Sequence, residues 1–164
     1  DLENDNEVVD AYQAIIGSCK TKRPDAKIAG VEISKMITGG TEMIIGARRD
    51  EAFGPVIMCG LGGIYVEVMK DVSFRTAPLA KEEILLMIKE IRSYPILLGA
   101  RGGSKKDILA LVDAIIKIGS IVTHCKSVSD IEINPIAVYW AGSGVVSVDA
   151  RILVSNNKIK GERK

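Results

Sequence analysis

Aromatic residues are scarce in this chain of 164: one Trp, four Tyr and two Phe make up 4% of it. Any core must therefore be built from the Ile, Val, Leu, Met and Ala that fill most of its 47% hydrophobic content. Cysteine is scarce as well. Cys19, Cys59 and Cys125 are odd in number and share no CxxC spacing, which speaks against a disulfide framework or a thiolate zinc site and for reduced thiols in a cytoplasmic protein. The single histidine, His124, lies near the end of a helix-patterned stretch, where a helix-dipole or capping role is the ordinary expectation. No Ser, Cys or base is placed beside it, so there is no case for a nucleophile triad. No apolar run is long enough to span a bilayer, and the opening "DLENDNEVVDAY" is acidic where a secretory signal would be positive. Charge of one sign is not in excess: 22 Lys and Arg stand against 21 Asp and Glu. Neither nucleic acid nor an anionic membrane is therefore an expected partner.

What is present is a chain about one domain long, without repeats or Pro-rich linkers. Val8, Tyr12, Ile15, Ile16 and Cys19 fall at helical spacing and predict a helix over 7–20. "VEISKMI" (31–37) alternates and predicts a strand, with Gly39-Gly40 turning it into "EMIIGARRD" (42–50) as the second arm of a hairpin. "PVIMCGLGGIYVEVMKD" reads as two short apolar strands broken by glycines. Helices are expected over 81–92 and 105–125, the second opened by Ser104 with Asp107 three places on, in the manner of a capping box. "DIEINPIAVYWAGSGVVSVDAR" closes the fold as a hairpin around "WAGSG". Strands and helices come in separate runs, so the expected class is α+β, a mainly antiparallel sheet packed against helices. Residues 1–154 are expected to form this unit and 155–164 a polar, basic tail.

The last hairpin carries the chemistry. Glu132 and Asn134 are two apart and leave the same face of their strand, away from Ile131 and Ile133. With the turn near 141–144, Asp149 falls opposite or diagonal to Asn134, roughly 5–8 Å away at Cβ. These are hard oxygen donors, too few to cage a metal alone. Mg²⁺ accepts such a set and completes its shell from water and nucleotide phosphates. Pro135 cannot donate to a ladder, which suits an edge or a bulge. The same spacing also fits a solvated polar face on an edge strand. Gly60, Gly62 and Gly63 form neither a P-loop nor a dinucleotide fingerprint; they suit a turn or bulge, or amides brought close to phosphate. "LLGARGGSKKD" sets Arg101 before a helix start, a place for an anion or simply a capped loop. Arg75, in "DVSFR", is a surface charge or a phosphate clamp.

Taken in order, "GVEISKMITGGTEMIIGARRDEAFGPVIMCGLGGIYVEVMKDVSFRTAPL", "LLGARG" and "DIEINPIAV…GVVSVDARI" resemble the ATP-grasp domain of ADP-forming acyl-CoA synthetases, the acetyl-CoA synthetase β subunit in particular. Succinyl-CoA synthetase β chains are more distantly similar. The resemblance runs from about Glu7 to Ile152 and implies a C-terminal ATP-grasp subdomain that binds ATP or ADP with Mg²⁺. It implies an acid–thiol ligase in which phosphoryl transfer is coupled to forming or cleaving an acyl-CoA thioester through a phosphohistidine. It places the Mg²⁺ ligands at Asn134 and Asp149 with Glu132 beside them, and the adenine-facing hinge at Glu32, Ile33, Ser34, Lys35 and Met36. Gly62, Gly63 and Glu67 match the loop near the phosphates, with Arg75 and, more weakly, Arg101 toward the transferred group. The implied partners are a CoA-binding α subunit or domain and an N-terminal ATP-grasp subdomain expected ahead of Asp1. One departure is that the hinge carries Ser34 and Lys35 where the family usually has a Gln and an acid. With the late start, this keeps open a second reading, a non-catalytic interaction or regulatory module derived from the same fold.

Overall fold

Five small or apolar residues in succession, Met43 to Ala47, are all buried and put β1 (Thr41–Asp50) at the centre of the sheet. A strand covered on both faces reads as a continuous apolar run, not as an alternation. The structure, a computed structural model, describes residues 2–63 and 69–155. It divides into two compact units, Asp1–Thr38 and Gly39–Lys164.

In the second unit β1 pairs antiparallel with β2 (Gly54–Leu61) on one side and with β4 (Val128–Val138) on the other. β3 (Val72–Thr76) extends the sheet beyond β2. Beyond β4 lie β5 (Val145–Ser147) and β6 (Ala150–Val154), two pieces that both pair with it. The order is β3-β2-β1-β4-β5, and every pairing is antiparallel. One face is covered by α2 (Lys81–Lys89) and α4 (Ile108–His124), with the short α3 (Tyr94–Leu97) and a 3₁₀ turn (Ala100–Gly102) between them. On α4, Leu111, Val112, Ile115, Ile118 and Val122 recur at helical spacing and are all buried. They meet Ile45, Ala47, Ile57, Cys59 and Ile131 from the sheet and Ile84, Met87 and Ile88 from α2. Each such side chain fully removed from water contributes about 1.5–3 kcal/mol before entropy is counted. The α+β class and the antiparallel sheet are as the sequence pattern implies.

Three expectations need correction. "VEISKMI" forms no strand: its unit contains one helix, α1 (Asp5–Lys22), and no described strand with a free edge for the ladder. Hence β1 is not its hairpin partner, and the hairpin runs from β1 to β2 through the turn at 51–53, where Asp50 Oδ1 accepts from the amides of Ala52 and Phe53. The long helix begins at Ile108, not 105: Asp107, not Ser104, is its N-cap, accepting from Ala110 N–H, while Lys106 bridges to Trp140. The second of the two glycine-broken strands, 64–68, lies outside the described residues, as does Glu67. His124 caps its own helix end, its ring Nδ1 2.8 Å from the Ser120 carbonyl oxygen. The three thiols are free, Cys19 and Cys125 exposed and Cys59 buried. No described helix is long and apolar enough to cross a membrane.

Candidate functional site

The bulge expected of Pro135 is in β4. Between Met43 and Ile45 on β1, the partner on β4 moves from Ile136 to Ile133, so Asn134 and Pro135 together face Ile44. Proline has no N–H to give to the ladder, and the extra residue is taken up there. The Asn134–Pro135 peptide is cis. On the outer side the Asn134 amide donates to Asp149 O at 3.1 Å, and Val148 N–H donates to Pro135 O at 3.0 Å. These two bonds carry the pairing across the gap between β5 and β6. They set Asp149 directly opposite Asn134, in line with the register Ile136↔Ser147 and Ile133↔Ala150 on either side.

From the other direction the glycine turn after β2 closes on the same place. Gly62 N–H donates to Glu42 O at 2.9 Å, and Gly63 N–H donates to Asn134 Oδ1 at 3.0 Å. Both glycines are required. A Cβ on Gly62 would sit 2.4–2.9 Å from the Met43 backbone, and Gly63 has a φ of +63°. So the sheet brings the Asn134 amide oxygen, the main chain of Asp149 and the Gly62–Gly63 turn to one locus. Asn134 Oδ1 accepts one hydrogen bond and keeps a second lone pair. Asp149 is exposed and makes no ion pair among the described residues. Hard oxygen donors with free lone pairs suit Mg²⁺, which keeps water and phosphate oxygens in its shell. Among the described residues no three of His, Cys, Asp and Glu gather as a metal cage, so any ion here depends on such outside ligands.

Glu132 leaves the same face but is drawn aside. Its Oε2 is 3.4 Å from Arg151, which also lies 3.6 Å from Asp130; Arg48 Nε reaches Asp130 at 3.1 Å. These charges border a hollow of about 400 Å³ on the face without helices, which Phe53, Met58 and Phe74 also line. Arg75 stands on the helix-covered side, cross-strand from buried Ile57. Its guanidinium is bound by Glu90 and lies 3.8 Å from Glu83, both borne by or adjoining α2. The backbone of Arg101 is in the 3₁₀ turn.

In the first unit, Glu32, Ile33, Ser34 and Met36, but not Lys35, line an apolar cavity of about 560 Å³ together with Val8, Tyr12 and Ile15 of α1. Ser34 Oγ lies 3.5 Å from Glu32 Oε1. Sequence spacing leaves one neighbour of the glycine turn unremarked. Glu42 follows a turn and precedes an apolar run, and only the pairing of β1 with its neighbours brings its side chain beside Gly63.

Residues 1–154 match the family described as ATP-grasp domain. The chain is 45% identical over 153 residues to the acetate–CoA ligase [ADP-forming] I subunit beta of Pyrococcus furiosus, covering 93% of this chain and 65% of that subunit. It is 42% identical over 151 residues to the 4-hydroxybutyrate–CoA ligase [ADP-forming] of Nitrosopumilus maritimus, covering 92% of this chain and 22% of that one. Among solved structures it is similar, with a TM-score of 0.81 and 37% identity, to the dinucleotide-forming acetyl-coenzyme A synthetase 1 of Ca. Korarchaeum cryptofilum in complex with coenzyme A and Mg-AMPPCP. That match covers 94% of this chain and 66% of the other. The chain thus spans about two thirds of the β-subunit relative and a fifth of the longer ligase.

Proposed function

The chain belongs to the ATP-grasp family, and from that premise we propose that it is the nucleotide- and Mg²⁺-binding part of an ADP-forming acyl-CoA synthetase. The observation that carries the reading is the convergence of Asn134, Asp149 and the Gly62–Gly63 turn on one point of the sheet. In this reading Asp149 and Asn134 hold the metal–nucleotide complex, with Glu132 at its margin. The Gly62–Gly63 turn, whose amides are held by Glu42 O and Asn134 Oδ1, leaves space free of side chains beside the phosphates. Glu67 is carried over with it from the resemblance alone. Glu32, Ile33, Ser34, Lys35 and Met36 are carried over from the resemblance as the adenine-facing segment. Arg75, already answered by two carboxylates, ties β3 to α2 and is left out of the phosphate set.

A bound divalent cation spreads the negative charge of the phosphate oxygens. The chain's own contribution is positioning: the bulge turns Asn134 toward the glycine turn, and the turn excludes side chains from the space a phosphate needs. Acyl and CoA recognition, and the histidine that carries the phosphoryl group, are assigned to a CoA-binding partner and to an N-terminal ATP-grasp subdomain.

The test is a calorimetric titration of ADP, with and without Mg²⁺, into this chain and into Asp149→Ala. Expected are metal-dependent binding by the parent, its loss in the variant, and unchanged circular dichroism in both. Equal affinity in the two proteins would overturn the assignment. Binding to neither would favour the non-catalytic module.

A further inference from the structure

Glu42, like Asp149, is an acidic residue beside the glycine turn with no ion pair among the described residues. Asp130 is paired with Arg48 and Arg151, and Glu132 with Arg151, whereas Glu42 has no ion pair among the described residues. Its main chain and side chain both meet the glycine turn. The carbonyl accepts from Gly62 N–H at 2.9 Å. The carboxylate lies where a side chain on Gly63 would have to go, for a Cβ built there falls 2.2 Å from Glu42 Oε2. Gly63 in turn donates its N–H to Asn134 Oδ1, and Asn134 donates its own to Asp149 O. One continuous line of contacts therefore runs across three neighbouring strands, from Glu42 on β1 to Asp149 at the outer edge.

We propose that Glu42 is a positioning residue for the nucleotide site: its carboxylate, lying against Gly63, sets the turn whose amide fixes the orientation of the Asn134 side chain. An asparagine amide can present either oxygen or NH₂ in one place, and a hydrogen-bond donor from the turn selects the oxygen. That choice decides whether a hard cation finds a ligand or a repelling donor. Glu42 thereby acts on the site through Gly63 and Asn134. The inference rests on the nucleotide reading above and adds a residue to it.

The experiment compares the parent chain, Glu42→Gln, Glu42→Ala and Asp149→Ala. Glu42→Gln keeps the size of the side chain and the Gly62–Glu42 main-chain bond and removes only the charge. Two readouts are taken: Mg²⁺-dependent ADP affinity by calorimetry, and the hydrogen-exchange rate of the Gly63 amide with the Asn134 side-chain resonances by NMR. Expected for Glu42→Ala is an affinity lower by about 10- to 100-fold, the usual cost of losing a group that orients a metal-facing side chain. Parent-like affinity is expected in Glu42→Gln, whose side chain still fills the place beside Gly63. Faster Gly63 exchange and shifted Asn134 resonances should accompany the loss in Glu42→Ala, at an unchanged melting temperature. Parent-like affinity in Glu42→Ala while Asp149→Ala has lost binding overturns this inference and leaves the nucleotide reading standing. Weaker binding with Gly63 and Asn134 signals unaltered overturns the route through the turn. No binding by the parent overturns the nucleotide reading and this inference with it.

Discussion

Asp107 shows what one carboxylate can fasten. Its Oδ1 accepts from Ala110 N–H at 3.1 Å and caps α4, while Oδ2 accepts from Gly142 and Gly144 N–H at 2.9 Å each and ties down the turn between β4 and β5. The amide of Gly144 first, then that of Ala110, hold its carboxyl below the ordinary range; partial burial opposes them and the Gly142 amide adds to them. A carboxyl whose folded pKa is depressed stabilises the fold above its unfolded value of about 3.9 and loses that contribution as pH falls through the folded one. Asp107→Ala is therefore expected to cost about 1–2 kcal/mol at neutral pH, the size of a lost N-cap. In Asp107→Asn, a melting temperature below the parent's at pH 6 should draw level as the pH is taken below about 4. A gap that persists in acid would remove the carboxylate from the explanation.

At the scale of elements, two glycines pose opposite problems. Gly119 lies inside α4, where alanine is favoured by about 1 kcal/mol. A Cβ there would meet Ile57 Cδ1 at 2.5 Å, but that atom ends a flexible side chain. Beside both residues is a cavity of about 140 Å³ into which it can turn. Gly119→Ala should therefore change stability by less than about 1 kcal/mol, propensity offsetting the repacking. Gly62→Ala meets the backbone of Met43 at 2.4–2.9 Å, and backbone at the sheet centre cannot give way. The expected loss is about 1–3 kcal/mol or more, the ordinary range for forced overpacking. Urea midpoints at constant m-value separate the two outcomes. A Gly62→Ala protein as stable as the parent would show that the turn does not press on β1.

For the whole molecule, the buried core is reported by one thiol. Cys59 is fully enclosed between the sheet and α4, and burial pushes its pKa up to about 12, with the Gly60 amide pulling weakly the other way. Thiolates, not thiols, react. In native protein at pH 8 a disulfide reagent is expected to label the exposed Cys19 and Cys125 within minutes, and Cys59 only as fast as the second unit unfolds. Complete labelling of all three in one rapid phase would contradict a closed core.

Three helices, α1, α2 and α4, and most strands were legible in the sequence because the signals are local, whereas the short α3 was not. α1 and α4 follow from apolar spacing, the turn at 140–144 from its glycines, and the β4 bulge from a proline that cannot donate. The chemical character of Asn134 and Asp149 was legible too, since hairpin register follows from counting back through a turn. What the sequence could not carry is pairing between distant segments. "VEISKMI" has a strand's alternation, yet a strand exists only where another offers its edge. Glu132 has a ligand's chemistry, yet Arg151, nineteen residues on, claims its charge. Glu42 has no distinguishing neighbour in the chain and acquires one only when β1, β4 and the turn after β2 meet. Local propensity is written residue by residue, whereas electrostatic partners are chosen by the packing of the sheet.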